Sequence, residues 1–232
     1  MPETPERITL KKIWVEILEQ LNLERGLGYT VKQFALRPGR AVQEYLYQDR
    51  KKYTKPFSFL FLTTAITTFL VLELVIKPNP ELNNLSTAEG WNNLPGFIQP
   101  GLEMLGYWIK NYFNLFYLST LPSVVVASYL VFKKSQPYNL AEHLVINTYI
   151  FSIQSLLYLF NIPFLVYFPT SGWAALPALL TIFYFVFAYA KIFNLGVWRA
   201  LLFAFIIYYL SQMITIFLIG IALVVGMALI HI

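Results

Sequence analysis

Glu142 and His143 are the residues of this chain whose types could do acid–base or metal chemistry, because a carboxylate and an imidazole stand side by side. A zinc-protease helix carries two histidines four residues apart, and the only other histidine of this sequence is His231. Neighbouring residues on a helix also point about 100° apart, so the pair is badly placed to hold one atom. We therefore predict no metal site and no catalytic residue.

Other reaction centres are absent from the sequence as well. With no cysteine, the chain cannot form disulfides, thiolate zinc sites, iron–sulfur clusters or a cysteine nucleophile. It contains no Ser/His/Asp set, no glycine loop for a phosphate and no pair of membrane-embedded aspartates. The sequence predicts a protein that is not an enzyme and needs no cofactor.

Three amides recur every seven residues in one apolar run, at Asn147, Gln154 and Asn161. Seven residues make about two helical turns, so the amides share one stripe. Buried amides need hydrogen-bond partners, so we expect the stripe to face other helices rather than lipid. The favoured interpretation is bonding between helices, and the alternative is a polar path for a substrate.

A basic collar, made of Arg50, Lys51, Lys52 and Lys55, precedes the first long apolar run. Two interpretations are compatible: the collar stops the transfer of the chain through the membrane, and it binds anionic lipid headgroups. The candidates for headgroup binding or for docking of the preceding segment are Arg37, Arg50, Lys51, Lys52, Lys55, Glu142 and His143. Within this set we expect Glu142 to pair with Arg50 or Lys52. Nucleic acid is not an expected partner, because residues 1–56 carry a net charge of only +4 and no recognition motif.

The candidate residues lie in or next to long apolar segments of the chain. Of 232 residues, 57% are apolar and 12% charged, against about 25% charged in a soluble domain. That composition excludes an ordinary cytosolic enzyme, a disordered chain and a fibre. Five runs approach or exceed the roughly 20 residues that a membrane-spanning helix needs: Phe57–Ile76, Tyr112–Phe132, Leu144–Phe168, Ala174–Ala190 and Ala200–Ile230. We predict an all-α integral membrane protein with five transmembrane helices.

The orientation follows from where lysine and arginine flank these runs. With the N-terminus inside, fifteen of the seventeen basic residues fall on the inner side and only Lys77 and Lys110 on the outer side. The sequence therefore predicts a cytoplasmic N-terminus and an outer C-terminus.

Two domains are expected: a small helical cytoplasmic head over residues 1–56 and a transmembrane domain over residues 57–232. The first head helix has an apolar face made of Leu10, Ile13, Trp14, Ile17, Leu18 and Leu21. Because its polar face is mixed in sign, we favour packing against a partner over lying on the membrane. A second helix is expected to begin at the N-cap Thr30 and a third at Pro38.

An outer loop is expected over residues 77–103, with a short interfacial helix at Leu102–Ile109 and a glycosylation sequon at Asn84–Leu85–Ser86. Glu73 lies four residues before Lys77 and is expected to pair with it. The last run would be about 46 Å long as a helix, so it must tilt, protrude or break near Ser211–Gln212.

Two short segments resemble signatures of a bacterial membrane family of unknown function. The first contains Leu36–Arg37–Pro38–Gly39, Glu44–Tyr45–Leu46, Arg50, Tyr53 and Pro56–Phe57, and the second is Glu142–His143–Leu144. The resemblance implies a bacterial cytoplasmic (inner) membrane protein. Members often begin with a cysteine-rich zinc ribbon, which this chain lacks, and their usual Gly-Lys-Arg is here Gln48–Asp49–Arg50. By topology alone the chain also resembles the Yip1-type membrane proteins.

Three functions are consistent with these observations. The preferred one is a non-enzymatic scaffold or accessory subunit of a membrane protein complex, whose partners are membrane lipids and either other membrane proteins or further copies of itself. The second is a lipid or small-solute transporter, or a lipid-handling protein, that uses the collar and the amide stripe. A membrane enzyme is the third.

Overall fold

The described part of the chain is helical. The structure is a computed structural model that describes residues 26–78, 113–136, 138–167 and 178–230, with side chains for all of these except 113–116, 178 and 223–230. No strand occurs in these ranges. The predicted apolar face between Leu10 and Leu21, the helix at Leu102–Ile109, the sequon and most of the loop over residues 77–103 lie outside the described residues.

Eight α-helices make up the described ranges, and we number them in chain order. Their bounds are α1 Leu27–Leu36, α2 Pro38–Tyr47, α3 Pro56–Val71, α4 Phe113–Phe132, α5 Leu140–Tyr158, α6 Ile162–Tyr167, α7 Ala178–Ile192 and α8 Val197–Ile230. A 3₁₀ turn at Arg50–Lys52 precedes α3, a π-helical turn at Leu72–Ile76 extends it, and a 3₁₀ turn at Leu159–Asn161 joins α5 to α6.

Within the described residues, three helical segments are long and apolar enough to cross a membrane: Arg50–Ile76, Leu140–Tyr167 and Val197–Ala222. Two shorter apolar helices, Tyr117–Phe132 and Leu179–Ile192, lie within α4 and α7. Within the described residues, each of the five predicted runs overlaps at least one helix, and the third overlaps both α5 and α6. Length and composition support an integral membrane protein.

The predicted start of α1 is wrong. The helix begins at Leu27, and Thr30 lies inside it, where its hydroxyl oxygen accepts a hydrogen bond from the Thr54 amide at 2.9 Å. Thr30 thus ties α1 to the segment before α3 instead of capping its own helix. Pro38 does occupy the first turn of α2, as predicted, because its fixed φ suits that position.

The helix α5 begins at Leu140, four residues before the predicted Leu144. The reason is a capping box: the Asn139 side chain accepts from the Glu142 amide at 3.0 Å, and the Glu142 carboxylate accepts from the Asn139 amide at 2.8 Å. The first helical turn is therefore polar and precedes the apolar run.

The last run does not break near Ser211–Gln212. The helix α8 is continuous from Val197 to Ile230, and the Ser211 hydroxyl donates to the Tyr208 carbonyl oxygen of the preceding turn at 2.8 Å. This bond satisfies the hydroxyl within the helix, so the polar residue does not interrupt it.

The long helices alternate in direction between two ends of the bundle. At one end, the Gln136 side chain donates to the Phe193 carbonyl oxygen at 3.1 Å, and Tyr47 contacts Glu142. At the other end, α6 packs against the π-helical turn Leu72–Ile76. We call the first the basic end; it contains α1, α2, the Arg50–Lys52 turn and the connections that follow α4 and α7.

The turn after α7 carries the one non-glycine residue with positive φ in the described ranges. Asn194 has φ 54°, and the Leu195 amide donates to the Ala190 carbonyl oxygen at 2.9 Å. Asparagine tolerates this left-handed conformation, which closes α7 and redirects the chain into α8.

Candidate functional site

Glu44 lies at the centre of a polar cluster between α1, α2 and the Arg50–Lys52 turn. Its carboxylate accepts hydrogen bonds from the Tyr53 hydroxyl at 3.0 Å, from Lys52 Nζ at 3.2 Å and from the Tyr29 hydroxyl at 3.4 Å. The residue is buried, whereas the Lys52 side chain is about half exposed. The cluster therefore holds three segments together around one carboxylate.

Burial alone would raise the pKa of Glu44, but hydrogen bonds from Lys52 and Tyr53, the positive charge of Lys52 and the Tyr29 hydroxyl outweigh it. The pKa lies below its ordinary value of 4.5. A carboxyl whose pKa is lower in the folded state stabilises the protein above its unfolded pKa, and this contribution is lost as the pH falls through the folded value.

We therefore expect Glu44→Gln to reduce the loss of thermal stability as the pH is lowered from about 6 to about 3, because the amide does not titrate. At neutral pH the variant should melt below wild type, because the ion pair with Lys52 is lost. Thermal unfolding in detergent across this pH range measures both effects. Identical pH profiles for the two proteins would contradict the role given to Glu44.

The basic collar divides into bonded and free members. Arg50 donates to the Tyr45 and Leu46 carbonyl oxygens, both at 3.2 Å, and so caps the end of α2. Lys52 bonds Glu44. Lys51 and Lys55 are exposed and form no ion pair within the described ranges, and the same holds for Arg37, the further candidate outside the collar.

The predicted pairing of Glu142 with Arg50 or Lys52 is wrong. The Glu142 carboxylate caps α5 through Asn139 and accepts a hydrogen bond from the Tyr47 hydroxyl at 3.3 Å. Glu142 bonds within its own helix, and Arg50 and Lys52 bond closer acceptors, so Glu142 forms no ion pair with either cation. Glu142 still links α2 to α5, but through a tyrosine. The predicted pairing of Glu73 with Lys77 is confirmed.

His143 is fully buried near the start of α5 and belongs to a polar network that joins three helices. Its Nδ1 lies 3.0 Å from the Ser128 hydroxyl of α4, to which the Asn147 amide nitrogen donates at 3.0 Å. Asn147 also donates to the His143 carbonyl oxygen at 2.8 Å and accepts from the Tyr189 hydroxyl of α7 at 2.6 Å.

The Ser128 hydroxyl oxygen lies 3.0 Å from both the Val125 carbonyl oxygen and His143 Nδ1. His143 Nε2 is buried and has no hydrogen-bond partner in the described part of the chain. Rings of Tyr129, Phe132, Tyr138 and Phe193 surround the imidazole. The described residues hold no group of three potential metal ligands.

The amide stripe faces other helices. Asn147 bonds α4 and α7, and Gln154 donates to the Thr181 carbonyl oxygen of α7 at 3.2 Å. Asn161 is buried, and its Oδ1 has no partner among the residues described. Two of the three amides therefore tie α5 to its neighbours.

Two further contacts between helices were not predicted. Of the threonines in α3, Thr63 and Thr64 bond the Leu60 carbonyl of their own helix, but Thr67 donates to the Ser155 carbonyl oxygen of α5 at 2.9 Å. The Tyr184 hydroxyl of α7 donates to the Phe34 carbonyl oxygen of α1 at 3.0 Å. A hydroxyl on an apolar helix is the only sequence signal for either contact.

Tyr149 joins α1 to the bundle. Its fully buried ring stacks on Phe34 with 3.9 Å between centroids, and its hydroxyl donates to the Thr54 carbonyl oxygen at 2.7 Å. Phe59 of α3 and Tyr45 of α2 also contact the ring. Residues on both sides of Pro56 therefore pack in one core.

Among the described residues, the helix α8 packs against its neighbours along one side. Its buried side chains form a stripe of mostly small residues: Ala200, Ala204, Ile207, Ser211 and Thr215. The opposite side, which we call the outward face, is exposed and bulky; it includes Phe205, Tyr208, Tyr209, Gln212, Met213 and Ile216. Among the large side chains of this helix, Ile207 is buried and Phe203, Leu210 and Ile214 pack against the core, whereas those of the outward face do not.

Charge is concentrated at the basic end. The described ranges contain twelve basic and four acidic residues. The pair of Glu73 and Lys77 lies at the other end, which leaves eleven basic and three acidic residues at the basic end. All three acids already have partners there: Glu44 binds Lys52, Asp49 caps the Arg50–Lys52 turn and Glu142 caps α5.

The profile of a family described as protein of unknown function (DUF3667) matches residues 24–68. This segment contains α1, α2, the Glu44 cluster and most of α3, so the match supports an uncharacterised domain of unknown function at this place in the chain. The expected resemblance to a family of unknown function is confirmed in this form. Comparison with curated proteins and with solved structures gives no significant match.

Proposed function

We propose that this protein is a non-enzymatic scaffold or accessory subunit of a membrane protein complex in a bacterial cytoplasmic membrane. All five long helices cross the membrane in this proposal, with the basic end in the cytoplasm. Among the described residues, that end carries eleven basic and three acidic residues, and this excess supports the orientation because positive charge is retained on the cytoplasmic side.

The observation that carries the proposal is the outward face of α8. It combines aromatic rings with the polar groups of Tyr208, Tyr209 and Gln212, which lie within the segment Val197–Ala222. A helix face that meets only lipid has no partner for such groups. The exposed side of α3, with Phe57, Phe61 and Phe69, is apolar by comparison.

The interior of the bundle supports a structural role for the remaining polar side chains. Asn147, Gln154 and Thr67 each bond a neighbouring helix, as described above. Hydrogen bonds of this kind hold transmembrane helices together and contribute about 1 kcal/mol each. Side chains used in this way are less available to line a path for a solute.

The test is the size of the complex after extraction in a mild detergent, measured by native electrophoresis. Wild-type protein should migrate above the mass of a monomer, and the triple variant Phe205→Ala, Met213→Ala, Ile216→Ala should migrate as a monomer. The matched control is Phe61→Ala, Phe69→Ala, Phe183→Ala, which removes equally exposed rings from α3 and α7 and should retain the complex. A wild-type protein that migrates as a monomer would exclude the proposal.

The alternative function, lipid handling or transport, is favoured by the free cations of the basic end. Lys51, Lys55, Lys133 and Lys134 are exposed and form no ion pair in the described ranges. Each cation close to a negatively charged membrane surface contributes about 1 kcal/mol of attraction.

Replacing these four lysines by glutamine should weaken binding of anionic phospholipid to the purified protein at least tenfold, with no effect on neutral phospholipid. The comparison is made in micelles with increasing mole fractions of each lipid. Replacing Arg50 instead should lower stability, because its guanidinium caps α2. Equal retention of anionic lipid by wild type and the lysine variant would remove the support for this alternative.

A further inference from the structure

Gln212 lies deep within the predicted membrane-spanning part of α8. It follows Arg199, which is exposed at the basic end, by thirteen residues, or about 20 Å along the helix axis. The hydrocarbon core of a membrane is about 30 Å thick, so an amide at this depth has no water to bond.

The Gln212 side chain is exposed and has no hydrogen bond within the described ranges. Its neighbour Ser211 is buried, and the Ser211 hydroxyl donates to the Tyr208 carbonyl oxygen of the same helix. Among the described residues Gln212 has no such bond, and it faces outward. A primary amide has two donor hydrogens and an oxygen acceptor, all of which need partners when water is excluded.

We propose that a second copy of this chain covers the outward face of α8, with the two Gln212 amides hydrogen-bonded to each other across a two-fold axis. This inference rests on the proposed function and names the partner. Two copies inserted in the same direction bring Gln212 to the same depth in both, and each amide can then donate to the oxygen of the other.

The rest of the face fits the same arrangement. Phe205, Tyr209, Gln212 and Ile216 follow one another at steps of four, three and four residues, which is the spacing of one seam between two parallel helices. Phe205 and Tyr209 already contact each other at 4.3 Å between ring centroids and are both exposed. An unrelated partner would need its own polar residue at this depth, whereas a second copy provides one by symmetry.

The absence of natural cysteine makes this contact directly testable by disulfide formation between single-cysteine variants of the full chain in membrane vesicles. Phe205→Cys, Gln212→Cys and Ile216→Cys should each give a covalent dimer on oxidation. Ser211→Cys is the matched control, because it lies at the same depth on the buried face and should give none. A yield at the outward positions no greater than at Ser211→Cys would overturn the inference.

A second measurement tests the amide itself. Energy transfer between labelled copies, followed as the vesicles are diluted with lipid, should show that Gln212→Leu weakens dimerisation about tenfold, while Gln212→Asn largely retains it. Equal dimerisation of wild type and Gln212→Leu would overturn the role of the amide.

A photoreactive residue in place of Met213 separates the two proposals. A product containing only this chain supports the dimer. A product in which every cross-link joins a different polypeptide overturns the second copy but leaves the scaffold function in place. No cross-linked product, together with monomeric migration after extraction, would overturn both.

Discussion

Replacing Gly39 by alanine is expected to destabilise the protein by about 3 kcal/mol, although it adds only one methyl group. Gly39 lies in α2 where that helix crosses the end of α7. A Cβ atom there would overlap the Lys191 carbonyl oxygen and lie 2.8 Å from the Lys191 carbonyl carbon. Because these are backbone atoms, no side-chain rotation relieves the overlap, and α2 must move away from the bundle.

Gly28→Ala is the matched control for this prediction. Gly28 lies in α1, and a Cβ atom there would meet nothing within 4 Å. Alanine is preferred over glycine in a helix, so the control should be neutral or more stable by up to about 1 kcal/mol. The free energy of unfolding in mixed micelles distinguishes the two. Similar values for both variants would show that α2 is not held against α7.

Tyr149→Ala is the second substitution with a large expected effect, about 4 kcal/mol of lost stability. It removes a fully buried ring that contacts α1, α2 and α3 at once, and it leaves the Thr54 carbonyl oxygen without its donor. Tyr149→Phe retains the ring and loses only the hydroxyl, so it should cost about 1 kcal/mol.

The same two variants also show which part of the protein loses stability. Proteolysis of the segment before Pro56 should accelerate in Tyr149→Ala and remain close to wild type in Tyr149→Phe, because the stacking on Phe34 holds α1 in place. If the phenylalanine variant were as unstable as the alanine variant, the hydrogen bond to Thr54 rather than ring packing would hold α1.

The sequence was sufficient to locate the long helices, because apolar residues over a membrane-length run have few alternatives to a helix. Pro38 marked the start of α2 and the amide stripe marked the side of α5 that faces its neighbours, since both depend on local geometry. The sequence was also sufficient to pair Glu73 with Lys77, one turn apart on a single helix.

Pairings that depend on tertiary packing could not be predicted in the same way. Cations of the collar could have paired with Glu142. Its carboxylate instead accepts hydrogen bonds from the Asn139 amide of its own capping box and from the Tyr47 hydroxyl. Threonine is a common N-cap residue, yet the Thr30 hydroxyl accepts a hydrogen bond from the Thr54 amide, which is distant in sequence and follows α2. The packing of Phe34 against Tyr149 joins residues far apart in sequence, and aromatic residues in helices give no indication of their partners.

We propose that polar residues inside the bundle hold the helices together, while the outward face of α8 binds a partner in the membrane. The most direct test of this proposal is the mass of the particle that contains this chain when native membrane is extracted into polymer-bound lipid discs without detergent. We expect particles that contain at least two protein chains, and we expect their loss when the outward-face residues Phe205, Met213 and Ile216 are replaced by alanine. Discs that contain a single copy of this chain and lipid alone would contradict the proposal.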